Sequence, residues 1–455
     1  MTQVMDQTEM NQMEMNQRNG KKETMRLEEG WRQQTVKEQV DAQMAIILKG
    51  VGEVIGEEAL RLKLEHAIYE GRPLRVKLGL DPSAPDIHLG HSVVLRKCRQ
   101  LQACGHVIDL IIGDFTGRIG DPTGKSKSRR QLSEEEVIQH ARTYEEQIFR
   151  ILLPEKTCVH FNSHWLGKMT FEEVIDLGSK YTVARMLERE DFKNRMQKAL
   201  PISIHEFFYP LMQGYDSVHL KSDIELGGMD QRFNILMGRT LQRAFGQAEQ
   251  VALLMPLLEG TDGKDKMSKS MGNAIGIKEA PKTMFMKIMS IPDQLIATYY
   301  ALATDCLPSR LSEVIMELEG GIVNPRDIKL LLAEEITALY TGTVAAAEAK
   351  QGFVEQFTMG LVPADIEVLA LLPQADVGAL LQCLVDKQII RSKREALRLL
   401  EQGGIKIDGV KYAHVQEAIR KPDQLDKQEM ILQVGKKCFF RIVLQNEVAL
   451  GENMV

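Results

Sequence analysis

Several things are missing from this 455-residue chain. No apolar run approaches the roughly 20 residues that a helix needs to cross a bilayer, so a helical membrane protein is not expected. The N-terminus has no charged segment leading into an apolar one, which predicts no secretory signal and a cytoplasmic location. Cys98, Cys104, Cys158, Cys306, Cys383 and Cys438 are scattered without a CxxC pair. That argues against zinc or redox work and for reduced, mostly buried thiols. There is no Ser-His-Asp set and no metal-ligand cluster, so neither triad chemistry nor a protein-bound metal is expected.

With 44% hydrophobic and 26% charged residues the composition is that of a soluble globular protein, and the length suggests about three domains. The net charge of −6 argues against indiscriminate nucleic-acid binding, but its distribution says more. Residues 387–441 carry 13 Lys and Arg against 7 Asp and Glu, a local +6 on an otherwise acidic chain. This segment is a candidate polyanion-binding module. Residues 1–35 are rich in Met, Gln, Asn and Glu, and a disordered tail is expected there. Amphipathic spacing over 36–71, broken by glycines, predicts helices.

The chain is organised around 76–91, Val-Lys-Leu-Gly-Leu-Asp-Pro-Ser-Ala-Pro-Asp-Ile-His-Leu-Gly-His, and 266–270, Lys-Met-Ser-Lys-Ser. The first predicts a strand over 75–80, a turn at Asp81-Pro82 and a helix over 91–102. A helix start offers free N–H groups and a positive dipole end, which suits nucleotide phosphates. His88 and His91 can donate hydrogen bonds to phosphate oxygens, and Gly90 leaves room for a base or ribose. Alone, the pair also fits two ordinary histidines at a helix start. A second strand over 107–112 completes a strand-helix-strand unit, the opening of a parallel nucleotide-binding sheet. Ligands bind at such strand ends, which places Thr116, Asp121 and Lys125 near the nucleotide; the Gly-Asp-Pro-Thr-Gly string is equally a competent turn without function.

A capping box at 133–136 predicts a helix to about 153. Residues 155–210 are mixed, with helices expected over 171–188, and an insertion of this size suits a dimer contact. On a helix Tyr209, Gln213 and Asp216 share one face, so they line a polar pocket or form an interface. Residues 225–232 read as a strand end, a glycine turn at Gly228 and a helix start, with Asp230 suited to ribose hydroxyls or an amino-acid pocket. An apolar strand over 253–258 leads into a loop bearing Lys264, Lys266 and Lys269. Such a loop is expected to be mobile and to close on a departing pyrophosphate, although a charge cluster by itself also fits a solvated surface. Helical spacing dominates 281–372, and Pro363 and Pro373 bracket an expected linker. Beyond it a capping box at 392–395, a helix to Gly403-Gly404 and hairpins at 405–411 and 431–443 are predicted. Arg391, Lys393, Arg394 and Arg398 cluster at that helix start, placed for RNA phosphates or merely solvated.

The signatures HLGH and KMSKS resemble those of class I aminoacyl-tRNA synthetases. With VKLGLDPSAPDIHLGH, IIGDFTGRIGDPTGK, YPLMQGYD and ELGGMDQRFN in order, the chain from about residue 40 resembles the bacterial tyrosyl-tRNA synthetases. Its basic end resembles the alpha-L RNA-binding motif. Pattern and resemblance together imply an α/β fold: a Rossmann-like parallel-sheet catalytic domain over 36–280 whose insertion carries a dimer contact, an α-helical domain over 281–375, and a small α+β RNA-binding domain over 376–455. The resemblance implies an enzyme that joins L-tyrosine to ATP as tyrosyl-adenylate, releasing pyrophosphate, then passes tyrosine to the 3′ end of tRNA(Tyr), working as a homodimer.

Carried over residue by residue, it implies that Asp216 accepts a hydrogen bond from the tyrosine hydroxyl, and that Asp121, Tyr209 and Gln213 hold the ammonium group beside Thr116. Gly79, Asp81, Ser83, His88, Gly90, His91, Gly228 and Asp230 would hold ATP, and Gln231 the reacting carboxyl. Lys125, Arg129, Lys266 and Lys269 would meet the pyrophosphate. One position departs: the better-known branch has a tyrosine two residues before the strand glycine, where this chain has Lys77. That leaves Asp216 as the main hydroxyl reader and its second partner open. The substrate carboxylate is already ionised and needs no general base, and Mg²⁺ arrives on ATP. A tryptophanyl synthetase, a plain nucleotidyltransferase and a non-catalytic RNA-binding paralogue are the rivals. Against them stand the Tyr209/Gln213/Asp216 set, the complete lysine loop and the intact motif residues respectively.

Overall fold

A computed structural model of the chain describes residues 36–81, 87–120, 145–321, 323–357, 367–371, 377–387, 389–407, 410–411, 429–435 and 438–444. The chain divides between Ala347 and Glu348 into two compact units.

The first unit holds six strands: β1 (Glu53–Ile55), β2 (Arg75–Leu80), β3 (Val107–Ile112), β4 (Thr157–Phe161), β5 (Ile224–Gly228) and β6 (Val251–Met255). They form one sheet in the order β1-β6-β5-β2-β3-β4, parallel except for β1, which runs antiparallel to β6 at the edge. β3 and β6 are nearly continuous apolar runs because helices cover both faces of a parallel sheet. β2 and β3 occupy the ranges their patterns predict. β6 sits earlier than the predicted 253–258, since Pro256 follows its last residue. β1 and β4 are strands where only helical or mixed structure is expected from sequence. The strand order reverses between β2 and β5, and the crevice beyond the C-terminal ends of those two strands is where such a sheet binds ligands.

Helices α1 (Val36–Leu48) and α2 (Glu57–Glu70) flank β1, and α3 (Leu89–Ala103) crosses from β2 to β3. The helices expected over 171–188 are α4 (Phe171–Ser179) and a single turn at Val183–Met186, whose start Thr182 caps. After α5 (Glu190–Gln197) come α6 (Ile204–Leu220) and α7 (Arg232–Ala244), whose Leu211, Val218, Met237 and Leu241 share a buried cluster. Helices α8 (Pro281–Met289), α9 (Ile296–Ala303), α10 (Pro308–Glu319) and α11 (Pro325–Thr341) lie in the same unit as the sheet. The helix predicted from the capping box at 133 lies largely outside the described residues.

The second unit begins within α12 (Thr343–Phe357). It contains β7 (Glu367–Leu371), α13 (Val377–Asp386), α14 (Lys393–Glu401), β8 (Ile405–Ile407), β9 (Val410–Lys411), β10 (Glu429–Val434) and β11 (Cys438–Leu444), with sheet order β7-β11-β10-β8-β9. Both predicted hairpins form, with Ile407 opposite Val410 and Val434 opposite Cys438. Ser392 caps α14 by accepting from the Glu395 N–H at 3.3 Å. The stretch between Pro363 and Pro373 is not simply a linker: β7 lies in it, parallel to β11, and buries Leu369 in the unit's core. No helix among the described residues is long and apolar enough to cross a membrane.

Candidate active site

One end of the crevice is a buried polar network. Gly113 follows β3, and a Cβ there would stand 2.1 Å from Asp81 Oδ1 and 2.5 Å from Thr116 Oγ1. Its absence lets Asp81, just past β2, accept from the Thr116 hydroxyl at 3.2 Å. The Tyr209 hydroxyl donates to the other Asp81 oxygen at 2.7 Å. Asn162, directly after β4, donates from Nδ2 to Thr116 Oγ1 at 3.1 Å and to Asp216 Oδ2 at 3.3 Å. Trp165 donates its indole N–H to Asp216 Oδ1 at 2.8 Å.

These bonds join Asp81, Thr116, Tyr209 and Asp216 into one constellation. Tyr209, Gln213 and Asp216 share a face of α6, as their spacing predicts. Asp216 is only 3% exposed, and burial pushes its carboxyl up to about 7 against the pull of Lys77, Trp165 and Asn162. Gln213 Oε1 is buried without a partner among the described residues, an acceptor left open. Lys77 is wholly buried, and its ammonium donates to Glu225 Oε1 (2.9 Å), Ser217 Oγ (2.8 Å) and the Gln213 carbonyl (2.7 Å). On the same strand face Gly79 is exposed, with open space where a side chain would be.

The other end pairs the two motifs. Residues 87–89 and 275–277 form an antiparallel bridge: the Leu89 N–H donates to the Ile275 carbonyl (2.9 Å) and the Ile277 N–H to the Ile87 carbonyl (3.2 Å). His88 precedes the first turn of α3, and its ring stacks on that of His91 with centroids 3.7 Å apart. Burial, then His91 and Lys269, lowers His88 to about 3; desolvation by the crevice walls, then Lys269 and Lys266, lowers His91 to about 4. Both imidazoles are therefore neutral at pH 7, each with one N–H to donate.

The room expected at Gly90 for a base or ribose is occupied here. A Cβ would meet the His88 ring at 3.0 Å and Met267 Cβ at 3.3 Å, and the Gly90 N–H donates to Met267 Sδ at 3.3 Å. The lysine loop is tied down at its base, where the Met267 N–H donates to the Leu258 carbonyl (2.8 Å) and the Ser268 N–H to Asn273 Oδ1 (2.8 Å), while Lys266 and Lys269 remain exposed.

Beyond β5, Gly228 leads into the turn Met229–Gln231, which exposes Asp230, and Gln231 Oε1 accepts from Asn234 at 2.9 Å. Ser83, Asp121, Lys125 and Arg129 lie outside the described residues. Arg391, Lys393, Arg394 and Arg398 are exposed around the start of α14 in the second unit. Among the described residues no three His, Cys, Asp or Glu side chains are grouped to hold a metal ion. Sequence reasoning missed Asn162 and Trp165. The signal was there in Thr-Cys-Val-His-Phe followed by Asn-Ser-His-Trp, a strand whose C-terminal end delivers polar groups to the crevice.

The chain is similar to known proteins over most of its length. Residues 69–358 match the family of "tRNA synthetases class I (W and Y)", and residues 366–442 match the "Tyrosine--tRNA ligase SYY-like C-terminal domain". The tyrosine–tRNA ligase of Moorella thermoacetica is 53% identical over 90% of this chain and 97% of its own length. That of Carboxydothermus hydrogenoformans is 52% identical over 90% and 99%. In fold, a truncated Aspergillus nidulans mitochondrial tyrosyl-tRNA synthetase is similar with a TM-score of 0.58 at 21% identity, over 76% of this chain and all (100%) of that one. On these matches, over most of its length and through both compact units, the chain belongs to the tyrosine–tRNA ligase family of class I tRNA synthetases.

Proposed function

We infer that the chain is a tyrosine–tRNA ligase: it condenses L-tyrosine with ATP to tyrosyl-adenylate and pyrophosphate, then transfers tyrosine to the 3′ end of tRNA(Tyr). The observation that carries the reading is Asp216, a buried carboxyl with two protein donors at the end of a crevice that also holds paired imidazoles and a lysine loop. A phenol satisfies such a group, whereas phenylalanine leaves it desolvated and short of a partner. The substrate ammonium would meet Gln213 Oε1 and the Tyr209 hydroxyl oxygen, whose own proton is committed to Asp81, and Asp121 would join them.

The tyrosine carboxylate, near Gln231, attacks the α-phosphorus of ATP and pyrophosphate leaves. The neutral N–H groups of His88 and His91 and the charges of Lys266 and Lys269, joined by Lys125 and Arg129, stabilise the phosphates as the bond breaks. Gly79, Ser83, Gly90, Gly228 and Asp230 frame the nucleoside, with Met267 moving off Gly90 when it enters. Mg²⁺ comes bound to ATP. In the second step a terminal tRNA hydroxyl attacks the adenylate carbonyl and AMP leaves. Arg391, Lys393, Arg394 and Arg398 meet tRNA phosphates. Phe171, Ile175, Val183, Met196 and Ile204 are 58–80% exposed on the insertion and support a homodimer. Location in the cytoplasm follows from the substrate tRNA.

The test is exchange of labelled pyrophosphate into ATP by the purified protein. Exchange is expected with tyrosine and not with tryptophan. Exchange with tryptophan alone, or with no amino acid, would refute the reading.

A further inference from the structure

Gln231 closes the turn after β5, and a Cβ on Gly227 near the end of that strand would stand 3.5 Å from Gln231 Cβ, so the side chain lies over the strand end at the crevice. A carboxamide can present either its oxygen or its NH2 group to a ligand, and its neighbours decide which. Gln231 Oε1 accepts from Asn234 Nδ2 at 2.9 Å, and Asn234 Oδ1 in turn accepts from Arg189 Nη1 at 3.2 Å. Arg189 stands just before α5 in the insertion and is only 5% exposed, while Asn234 is 1% exposed in the first turn of α7. The guanidinium is held again by Asp191, 2.7 Å from Nε, and by the rings of Phe192 and Phe233, 5.2 and 5.8 Å from its central carbon.

The polarity of this relay is fixed at its buried end. A guanidinium has donors and no acceptor, so Asn234 must turn its oxygen to Arg189 and its NH2 group to Gln231. Gln231 must then turn its own oxygen to Asn234, which makes the NH2 group the lobe on the side away from it. We propose that Arg189, acting through Asn234, is a positioning residue that sets the Gln231 carboxamide as a donor to the substrate carboxylate. A carboxamide turned the other way would set its carbonyl oxygen against the anion. The proposal rests on the proposed function, which has Gln231 at the reacting carboxyl.

The test variant is Asn234→Asp in the full chain, a near-isostere whose ionised side chain has only acceptors. It still accepts from Arg189 but now needs a donor from Gln231, so the carboxamide turns over and its oxygen meets the substrate. Titration with L-tyrosine and with tyramine, which keeps the phenol and the ammonium but lacks the carboxylate, separates this from a general disturbance of the site. Affinity for L-tyrosine is expected to fall about 10- to 100-fold, the scale of a charge-assisted hydrogen bond, with tyramine affinity within about twofold of the unaltered chain. Equal losses for both ligands, or no loss for either, would overturn the proposal. Asn234→Ala adds no charge to the interior and keeps the test open if the first variant does not fold. It removes the lock without inverting it, so the same selectivity is expected with a smaller loss for L-tyrosine, about three- to tenfold. Equal weakening of tyramine there would also count against the relay. Failure of the unaltered chain to exchange pyrophosphate with L-tyrosine would instead overturn the proposed function itself.

Discussion

The two ends of the crevice use opposite electrostatics. At the nucleotide end, exposed Lys266 and Lys269 stand beside imidazoles that burial and those same lysines keep neutral. At the tyrosine end, a buried acid sits among neutral donors, with the Lys77–Glu225 ion pair sealed behind it. On the proposed function, the difference follows from what each end must recognise. A triphosphate brings its own charge, so its partners can stay hydrated until it arrives. A neutral hydroxyl carries little signal in water, and selecting it takes a desolvated group with nearly complete bonds of its own.

The largest expected effect tests whether the buried pair supports the tyrosine end. Lys77→Met leaves Glu225 buried without its cation and should destabilise the fold by about 3–5 kcal/mol, most of it recovered in Lys77→Met/Glu225→Gln. Denaturant midpoints measure both, and a single variant as stable as the parent would remove the pair from the account. Next in size, Lys269→Ala should lower the rate of exchange about 100-fold while KM for tyrosine stays within about twofold. A matching loss of tyrosine affinity would mean that the two ends are not separate. The smallest effect is in pH. With the phenol donating to an ionised Asp216, as proposed, kcat/KM for tyrosine should rise with pH and level off above about 7. The corresponding value for ATP should show no limb near 6.5, since His88 and His91 are lowered to about 3 and 4. An imidazole limb in the ATP profile would show that the histidines act as cations.

The same contrast governed what could be read from sequence. The nucleotide end is built from contiguous strings, a strand, a turn and a helix start, each with its own local pattern, so β2, β3, His88 and His91 were legible. Tyr209, Gln213 and Asp216 were legible because helical spacing puts them on one face. The remainder of the tyrosine end is assembled across the fold: Asn162 and Trp165 reach Asp216 from 54 and 51 residues away. Their strand went unread because β4 is half-buried along most of its length and shows no alternation. β1 is three residues long, and β7, Glu-Val-Leu-Ala-Leu, is as compatible with a helix as with a strand. Only sheet pairing decides them.

The backbone stitch between 87–89 and 275–277 sets a gauge. Peptide geometry, rather than the reach of long pliable side chains, fixes the span from the imidazoles to the root of the lysine arm. Drift in the surrounding apolar side chains can thus be absorbed without widening or narrowing the jaws that close on a triphosphate.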